Sequence, residues 1–138
     1  MIRTRQLTYR YPSGPAIGFD DLNVAQGGVL LLKGASGSGK STWLALAAGL
    51  LQPTSGEMTV AGQALSQLQA ASSDAWRAKT IGFLPQKLHL SAALTVRQNL
   101  ELAQWAAGHK VDMQAITQAL AALGVADLQH RPRPPAPE

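Results

Sequence analysis

The nine residues "GASGSGKST", Gly34 to Thr42, constrain the fold of this chain more than any other stretch. They follow four consecutive apolar residues, Val29 to Leu32, which predict a strand buried on both faces. They lead into an apolar segment that predicts a helix from Lys40 or Ser41 through Leu51. A strand, a glycine-rich loop and a helix in this order predict an α/β fold.

The spacing Gly34-x-x-x-x-Gly39-Lys40-Ser41 is the pattern of a phosphate-binding loop. Its glycines let the backbone approach phosphates closely, and its N–H groups and the helix N-terminus form an anion site. Lys40 is expected to reach the β- and γ-phosphates, Ser41 to ligate Mg²⁺ and Thr42 to donate to the α-phosphate. A flexible Gly/Ser turn is the alternative, but the flanking strand and helix favour ATP or GTP binding. The predicted nucleotide contacts are Gly34, Ala35, Ser36, Gly37, Ser38, Gly39, Lys40, Ser41 and Thr42.

Composition excludes several other classes of protein. The chain has 138 residues, the size of one ordinary domain, and 46% of them are apolar. Its net charge of +4 is scattered, which does not favour a nucleic-acid-binding face, and the absence of cysteine excludes disulfides and thiolate metal sites. The longest apolar run, Trp43 to Leu51, is far shorter than the roughly 20 residues that span a bilayer. We therefore expect a soluble chain that meets a membrane only through a partner.

The rest of the first 90 residues predicts short strands and one polar helix. The stretch "IRTRQLTYRY" has an alternating pattern and predicts a strand that ends at Pro12. The stretch "IGFDDLNV" predicts a second short strand. Further strands are predicted at Glu57 to Val60 and at Thr80 to Gln86, with a helical segment from about Leu65 to Ala78 between them.

From Thr95 onward the pattern is helical. "TVRQNLELAQWAAG" places apolar residues near helical spacing, and "DMQAITQALAALG" predicts a helix with Asp112 as N-cap and Gly124 as its stop. The apolar positions expected on helix faces are Val96, Leu100, Leu102, Trp105, Met113, Ile116, Leu120 and Leu123, with Trp105 and Met113 at core positions. We therefore predict a nucleotide-binding α/β core at 1–90, a helical portion at 91–131 and a proline-rich tail at 132–138.

The stretch "GASGSGKSTWLALAAGLLQPTSGEMTVAG" resembles the ATP-binding cassette (ABC) transporter ATPases over its whole length. In that family the loop helix is followed by Gly-Leu, a "PTSG" turn and a short strand ending in Gly, which match Gly49-Leu50, Pro53 to Gly56 and "EMTVAG". "WRAKTIGFLPQKLHLSAALTVRQNLELA" resembles the Q-loop region and the start of the helical subdomain, with Gln86 at the glutamine. "ALAALGVADLQHRP" resembles the stretch before the signature sequence, so the resemblance runs from about residue 2 to residue 132.

The resemblance implies a P-loop NTPase core with an incomplete sheet, N-terminal β-strands and a helical subdomain, using ATP and Mg²⁺ as cofactors. It implies that Tyr11 stacks on adenine, with Tyr9 on the same strand face as the rival. It also implies that Gln86 touches Mg²⁺ or the attacking water and senses the transport subunit. Lys40 and Gln86 are the implied catalytic residues, and Ser41 and Gln86 the implied metal ligands.

The partners implied by the resemblance are a transmembrane permease and a second ATPase subunit in a head-to-tail dimer, at the cytoplasmic face of the inner or plasma membrane. The motifs look most like lipoprotein-release and peptide- or drug-export ATPases; an importer ATPase, a non-catalytic ATP-binding module and an inactive gene fragment are the alternatives. A nucleic-acid-repair ATPase is expected to carry long coiled-coil insertions, which the sequence lacks. The resemblance places the signature, the second Mg²⁺ motif with its Glu base and the switch His after residue 132. We therefore expect a truncated chain that binds MgATP weakly, does not hydrolyse it alone and leaves a sheet edge uncovered.

Overall fold

The computed structural model describes residues 1–85 and 90–132, and the chain divides into two compact units, Met1–Phe83 and Leu84–Glu138. The first unit contains strands β1 (Ile2–Arg10), β2 (Ala16–Gly18), β3 (Asn23–Val24), β4 (Ser55–Val60) and β5 (Gln63–Ala64) and helices α1 (Lys40–Ala47) and α2 (Ala70–Thr80). The second contains helices α3 (Val96–Ala106) and α4 (Met113–Ala122). The predicted α/β class is confirmed, whereas the domain boundaries at residues 90 and 131 stay predictions.

Strand β1 is the centre of the sheet in the first unit. The strand order is β2-β1-β4-β5, with β3 also paired to β1, and every pairing is antiparallel. Tyr9 pairs with Ile17, which brings the end of β1 beside the segment that leads toward the glycine-rich loop. The sheet therefore positions the aromatic residues near Pro12 next to that loop.

A bulge in β1 decides which of its side chains reach the core. Thr4 and Leu7 are both buried although they are three positions apart, because the register shifts between Arg5 and Thr8. Gln6 has a φ of 47°, and opposite it Gly56 has a φ of 78°. A Cβ on Gly56 would lie 2.1 Å from the Gln6 carbonyl oxygen, so only glycine fits there.

The hydrophobic core of the first unit lies between the sheet and α1. Leu7 and Leu46 are fully buried, and the indole of Trp43 is 4% exposed. The remaining core residues are Ala47, Met58, Val60 and Leu65. Because three of these residues belong to α1, core packing fixes the helix whose N-terminus carries the glycine-rich loop.

The predicted strand at Val29 to Leu32 is wrong as a two-sided buried strand. No residue in the described ranges pairs with it, and a strand forms only where its backbone groups find ladder partners. Its side chains nevertheless alternate: Leu30 and Leu32 pack on the core, whereas Val29 and Leu31 are 95% and 72% exposed. The sequence correctly predicts an apolar segment, and the structure leaves one of its faces uncovered.

Helix α1 ends at Ala47, four residues before the predicted end at Leu51. Gly49 has a φ of 66°; its N–H donates to Leu46 O and that of Leu50 donates to Ala45 O, which is the Schellman arrangement. This left-handed glycine stops the helix, so the apolar run that continues beyond it is not helical.

The strand predicted from Thr80 to Gln86 is also wrong in the described part. Thr80 is the last residue of α2, and residues 81–85 belong to no strand. Ile81 N–H still donates to Arg77 O at 2.9 Å, so the first residues of the predicted strand belong to the end of the helix. Gln86 lies outside the described residues. The strand predicted at Glu57 to Val60 is confirmed as part of β4.

The second unit confirms the predicted helix ends and corrects two burial predictions. Asp112 caps α4 by accepting from Ala115 N–H at 2.9 Å, and Gly124, with a φ of 69°, ends it. Ile116 and Leu120 are buried as expected. Leu123 and Trp105, however, are 75% and 70% exposed, because two short helices bury only the face that they share.

Candidate functional site

The glycine-rich loop has the backbone conformation that its sequence predicts. Gly37 and Gly39 have φ values of 80° and 89°, in the left-handed region that side chains disfavour. A Cβ on Gly39 would also lie 3.1 Å from Ile17 Cγ2 and 3.2 Å from a Phe19 ring carbon. Glycine at position 39 thus lets the loop turn into α1 while the strand β2 region packs closely beneath it.

Helix α1 begins directly at the loop, and its first N–H groups donate to no described residue. Its N-cap residue Gly39 has no side chain to cap it, and the first turn contains no acidic residue. The first helical hydrogen bond runs from Trp43 N–H to Gly39 O at 2.8 Å, so the N–H groups of residues 40–42 precede it. Together with the helix dipole, these N–H groups favour an anion at this end of α1.

Lys40 is folded over the loop. Its ammonium donates to Gly34 O at 2.8 Å, to Ala35 O at 2.6 Å and to Ser38 Oγ at 3.2 Å. These three contacts hold the only loop cation directly at the helix N-terminus. The same side chain is flexible enough to exchange backbone carbonyls for a phosphate as its acceptor.

The two hydroxyl residues after Lys40 differ in their environments. Ser41 is exposed, and its hydroxyl has no hydrogen bond to any described residue, so its oxygen fits a hard cation such as Mg²⁺. Thr42 is 6% exposed, and its Oγ1 lies 2.9 Å from the Tyr11 hydroxyl. The sequence pattern does not predict that contact.

The two tyrosines at the end of β1 have separate roles in the packing. Their rings meet edge to face with centroids 4.8 Å apart and an interplanar angle of 86°. Tyr9 packs against the core, whereas Tyr11 is 44% exposed and borders the loop. Tyr11 therefore has the more accessible ring of the two.

Tyr11 and the loop enclose a pocket of about 230 Å³. Its lining consists of Tyr11, Ile17, Gly37, Ser38, Gly39, Lys40, Ser41 and Thr42. An aromatic ring, a cation, hydroxyls and backbone amides thus converge on one opening. Sequence reasoning missed Ile17 as a lining residue; its pairing with Tyr9 in a tight hairpin, signalled by "YPSGP", is what could have found it.

A second pocket, of about 360 Å³, also borders the loop, through Ser38, Gly39 and Lys40. It is bordered by the uncovered segment 30–33, by Phe19 and by Trp43, as well as by Lys40. Trp43 Nε1 is buried and has no hydrogen-bond partner in the described part of the chain. This pocket follows from the unpaired segment, and neither Ser41 nor Thr42 lines it, so the Tyr11 pocket is the better candidate site.

Two further observations bear on the site. Gln86, the predicted Q-loop glutamine, lies outside the described residues, so its position stays a prediction. Within the described ranges there is neither a cluster of His, Cys and carboxylate ligands nor a helix long and apolar enough to cross a bilayer.

Comparison with known sequences places the chain in a family. A family model described as ABC transporter matches residues 20–136. The ATP-binding protein LolD of the lipoprotein-releasing system of Xanthomonas axonopodis is 38% identical over 95% of this chain and 55% of its own length. The macrolide export ATP-binding/permease protein MacB of Rhodopseudomonas palustris is 37% identical over 95% of this chain and 21% of its own length.

Solved structures agree with the sequence comparison. The ATP-binding cassette MJ0796, a dimer in a post-hydrolysis state bound to ADP and phosphate, aligns with a TM-score of 0.78 and 27% identity over 96% of this chain and 61% of that one. A putative ABC transporter ATP-binding protein from Pyrococcus furiosus aligns with a TM-score of 0.72 and 25% identity over 93% of this chain and 59% of that one. The fold is that of a P-loop ATPase cassette, and the chain belongs to the ABC transporter family. It spans about half the length of its LolD relatives.

Proposed function

We propose that this chain binds MgATP through Gly34–Thr42 and serves as the nucleotide-binding part of an export-type ABC ATPase. The observation that carries the proposal is the convergence of free helix N–H groups, the Lys40 ammonium and the Tyr11 ring on one pocket. Amides and a cation suit phosphates, and an exposed ring suits a flat base. Family membership and the resemblance to MacB and LolD support the proposal.

Five residues have a specific role in this proposal. Lys40 transfers its ammonium from the Gly34 and Ala35 carbonyls to the β- and γ-phosphates. The Ser41 hydroxyl is the protein ligand for Mg²⁺, which when bound neutralises phosphate charge. Thr42 donates to the α-phosphate, Tyr11 stacks on adenine, and Gln86 contacts Mg²⁺ or the attacking water.

The names of two relatives support a role in transport. One similar protein is named for lipoprotein release and another for macrolide export. We propose that this chain likewise acts with a transmembrane permease and with a second ATPase subunit, at the cytoplasmic face of the membrane. Hydrolysis then belongs to that assembly.

Binding without turnover is the second candidate function. The groups bordering the Tyr11 pocket include a cation, hydroxyls and backbone amides, which suit phosphate binding. Phosphoryl transfer to water also needs a group that positions the water, and none of the described residues lining this pocket is a carboxylate. That the 138 residues alone bind without hydrolysis stays a prediction.

Thermal unfolding with increasing MgATP, combined with phosphate-release measurements, tests both candidates. MgATP at a hundred times its dissociation constant should stabilise the chain by about 2.7 kcal/mol. Phosphate release that appears only with a permease partner and a second subunit supports the ATPase role, and binding that never leads to release supports the non-catalytic module. An unchanged melting temperature at millimolar MgATP contradicts both.

A further inference from the structure

The hydrogen bond between Tyr11 and Thr42 connects the two halves of the candidate nucleotide site. Tyr11 is the candidate base platform, and Thr42 belongs to the phosphate-binding loop. Their hydroxyl oxygens lie 2.9 Å apart, and the pair is partly buried. A threonine hydroxyl has one donor and two acceptor sites, so it can accept from one partner and donate to another.

We infer that Tyr11 donates its phenolic proton to Thr42 Oγ1, so that the Thr42 proton points to the α-phosphate. Tyr11 then acts on the nucleotide in two ways, through its ring on the base and through its hydroxyl on the phosphate. This inference rests on the proposed function, because it describes the same site. It assigns Thr42 as a positioning residue for Tyr11 as well as a phosphate contact.

The packing around the pair supports a fixed geometry. Thr42 is 6% exposed, and core packing of Trp43 and Leu46 in the same helix restrains its position. The Tyr11 ring packs edge to face with the Tyr9 ring, with centroids 4.8 Å apart. Phenolic and aliphatic hydroxyls that bond in sequence polarise one another, and burial strengthens the effect. A phosphate accepting from Thr42 thus strengthens the bond that holds Tyr11.

The test is a double-mutant cycle with two ligands that differ in phosphate. Tyr11→Phe keeps the ring and removes the phenolic proton, and Thr42→Val keeps the shape and removes the hydroxyl. Affinities of the full chain for Mg-ADP and for adenosine are measured by calorimetry, with adenosine in competition if its binding is weak. Tyr9→Phe is the matched control, because it removes a hydroxyl from the neighbouring ring and that hydroxyl has no hydrogen bond to any described residue.

We expect Tyr11→Phe to weaken Mg-ADP binding by about three- to tenfold and to leave adenosine binding unchanged. The double variant should bind Mg-ADP no worse than Thr42→Val alone, since one interaction is lost in both. Tyr9→Phe should bind like wild type.

Four results overturn the inference, and they are distinguishable. Unchanged Mg-ADP binding in Tyr11→Phe shows that only the ring of Tyr11 matters. Equal losses for adenosine and Mg-ADP show that the hydroxyl merely places the ring. Additive effects in the double variant show that Tyr11 and Thr42 act separately. Wild-type protein that binds neither ligand overturns the proposed function itself, and this inference with it.

Discussion

The Lys40 ammonium donates to the Ala35 carbonyl oxygen at 2.6 Å and so connects the end of the glycine-rich loop to its beginning. The backbone contributes one closing hydrogen bond of its own, from Ser38 N–H to Ala35 O at 3.3 Å. The loop therefore depends on its own lysine for part of its order. We expect Lys40→Ala to accelerate amide hydrogen exchange in residues 34–39 in the absence of nucleotide, with little change in global stability because the site is exposed.

The matched control for this prediction is Lys79→Ala. Lys79 is an exposed lysine in α2 whose ammonium has no hydrogen bond to any described residue, so its removal should leave exchange in the loop unchanged. Equal exchange rates in wild type and Lys40→Ala would show that the three lysine contacts do not order the loop.

The bulge opposite Gln6 predicts a strong effect at Gly56. Gly56 and Gly62 both have positive φ values, 78° and 82°, so alanine at either should cost about 1–2 kcal/mol of backbone strain. At Gly56 the new Cβ would also lie 2.1 Å from the Gln6 carbonyl oxygen, whereas at Gly62 it meets nothing within 4 Å. We expect Gly56→Ala to lose about 2 kcal/mol or more beyond the loss in Gly62→Ala.

Urea unfolding midpoints of the two variants measure that difference. Equal midpoints would mean that β1 and β4 separate at the bulge without cost, and the register of the sheet would then need revision.

Adjacent leucines in the uncovered segment should respond in opposite ways. Leu31 is 72% exposed, whereas Leu32 packs against the core. We expect Leu31→Ser to change the free energy of unfolding by less than about 0.5 kcal/mol and Leu32→Ser to reduce it by about 1–2 kcal/mol. A large loss in Leu31→Ser would indicate that this face is covered in solution, which analytical ultracentrifugation over a concentration series would then examine.

The N-cap of α4 predicts that alanine and asparagine at position 112 will have different effects on stability. The Asp112 carboxylate accepts from Ala115 N–H at 2.9 Å. Asp112→Ala should destabilise the helix by about 1 kcal/mol, whereas Asp112→Asn should be nearly neutral because asparagine caps equally well. Circular dichroism during thermal unfolding compares the two variants. A loss in the asparagine variant as large as in the alanine variant would show that charge, and not capping, is responsible.

The sequence predicted the features that depend only on neighbouring residues. The loop spacing, the Asp112 cap and the Gly124 stop each depend on residues within a few positions, and the structure confirms the cap and the stop. The loop glycines also have the predicted conformation, although its ligand contacts remain proposals. Family motifs predicted the ATPase cassette fold because they extend over most of the chain.

The features that sequence reasoning missed depend on distant residues. Whether Val29 to Leu32 joins a sheet depends on partner strands, and an apolar run carries no information about where its partners are. Trp105 was expected in a core, but its burial depends on how many helices surround it. The Tyr11–Thr42 contact joins residues 31 positions apart, so it can be found only once the fold is known.

Calorimetric titration of the purified chain with MgATP, run in parallel on wild type and Lys40→Ala, tests the central claim most directly. The pocket between Tyr11 and the loop predicts saturable one-to-one binding by wild type and at least tenfold weaker binding by Lys40→Ala, because the variant loses a charge-assisted contact to phosphate. Wild-type binding that persists unchanged in Lys40→Ala, or no wild-type binding at millimolar MgATP, would contradict the assignment of Gly34–Thr42 as the nucleotide site.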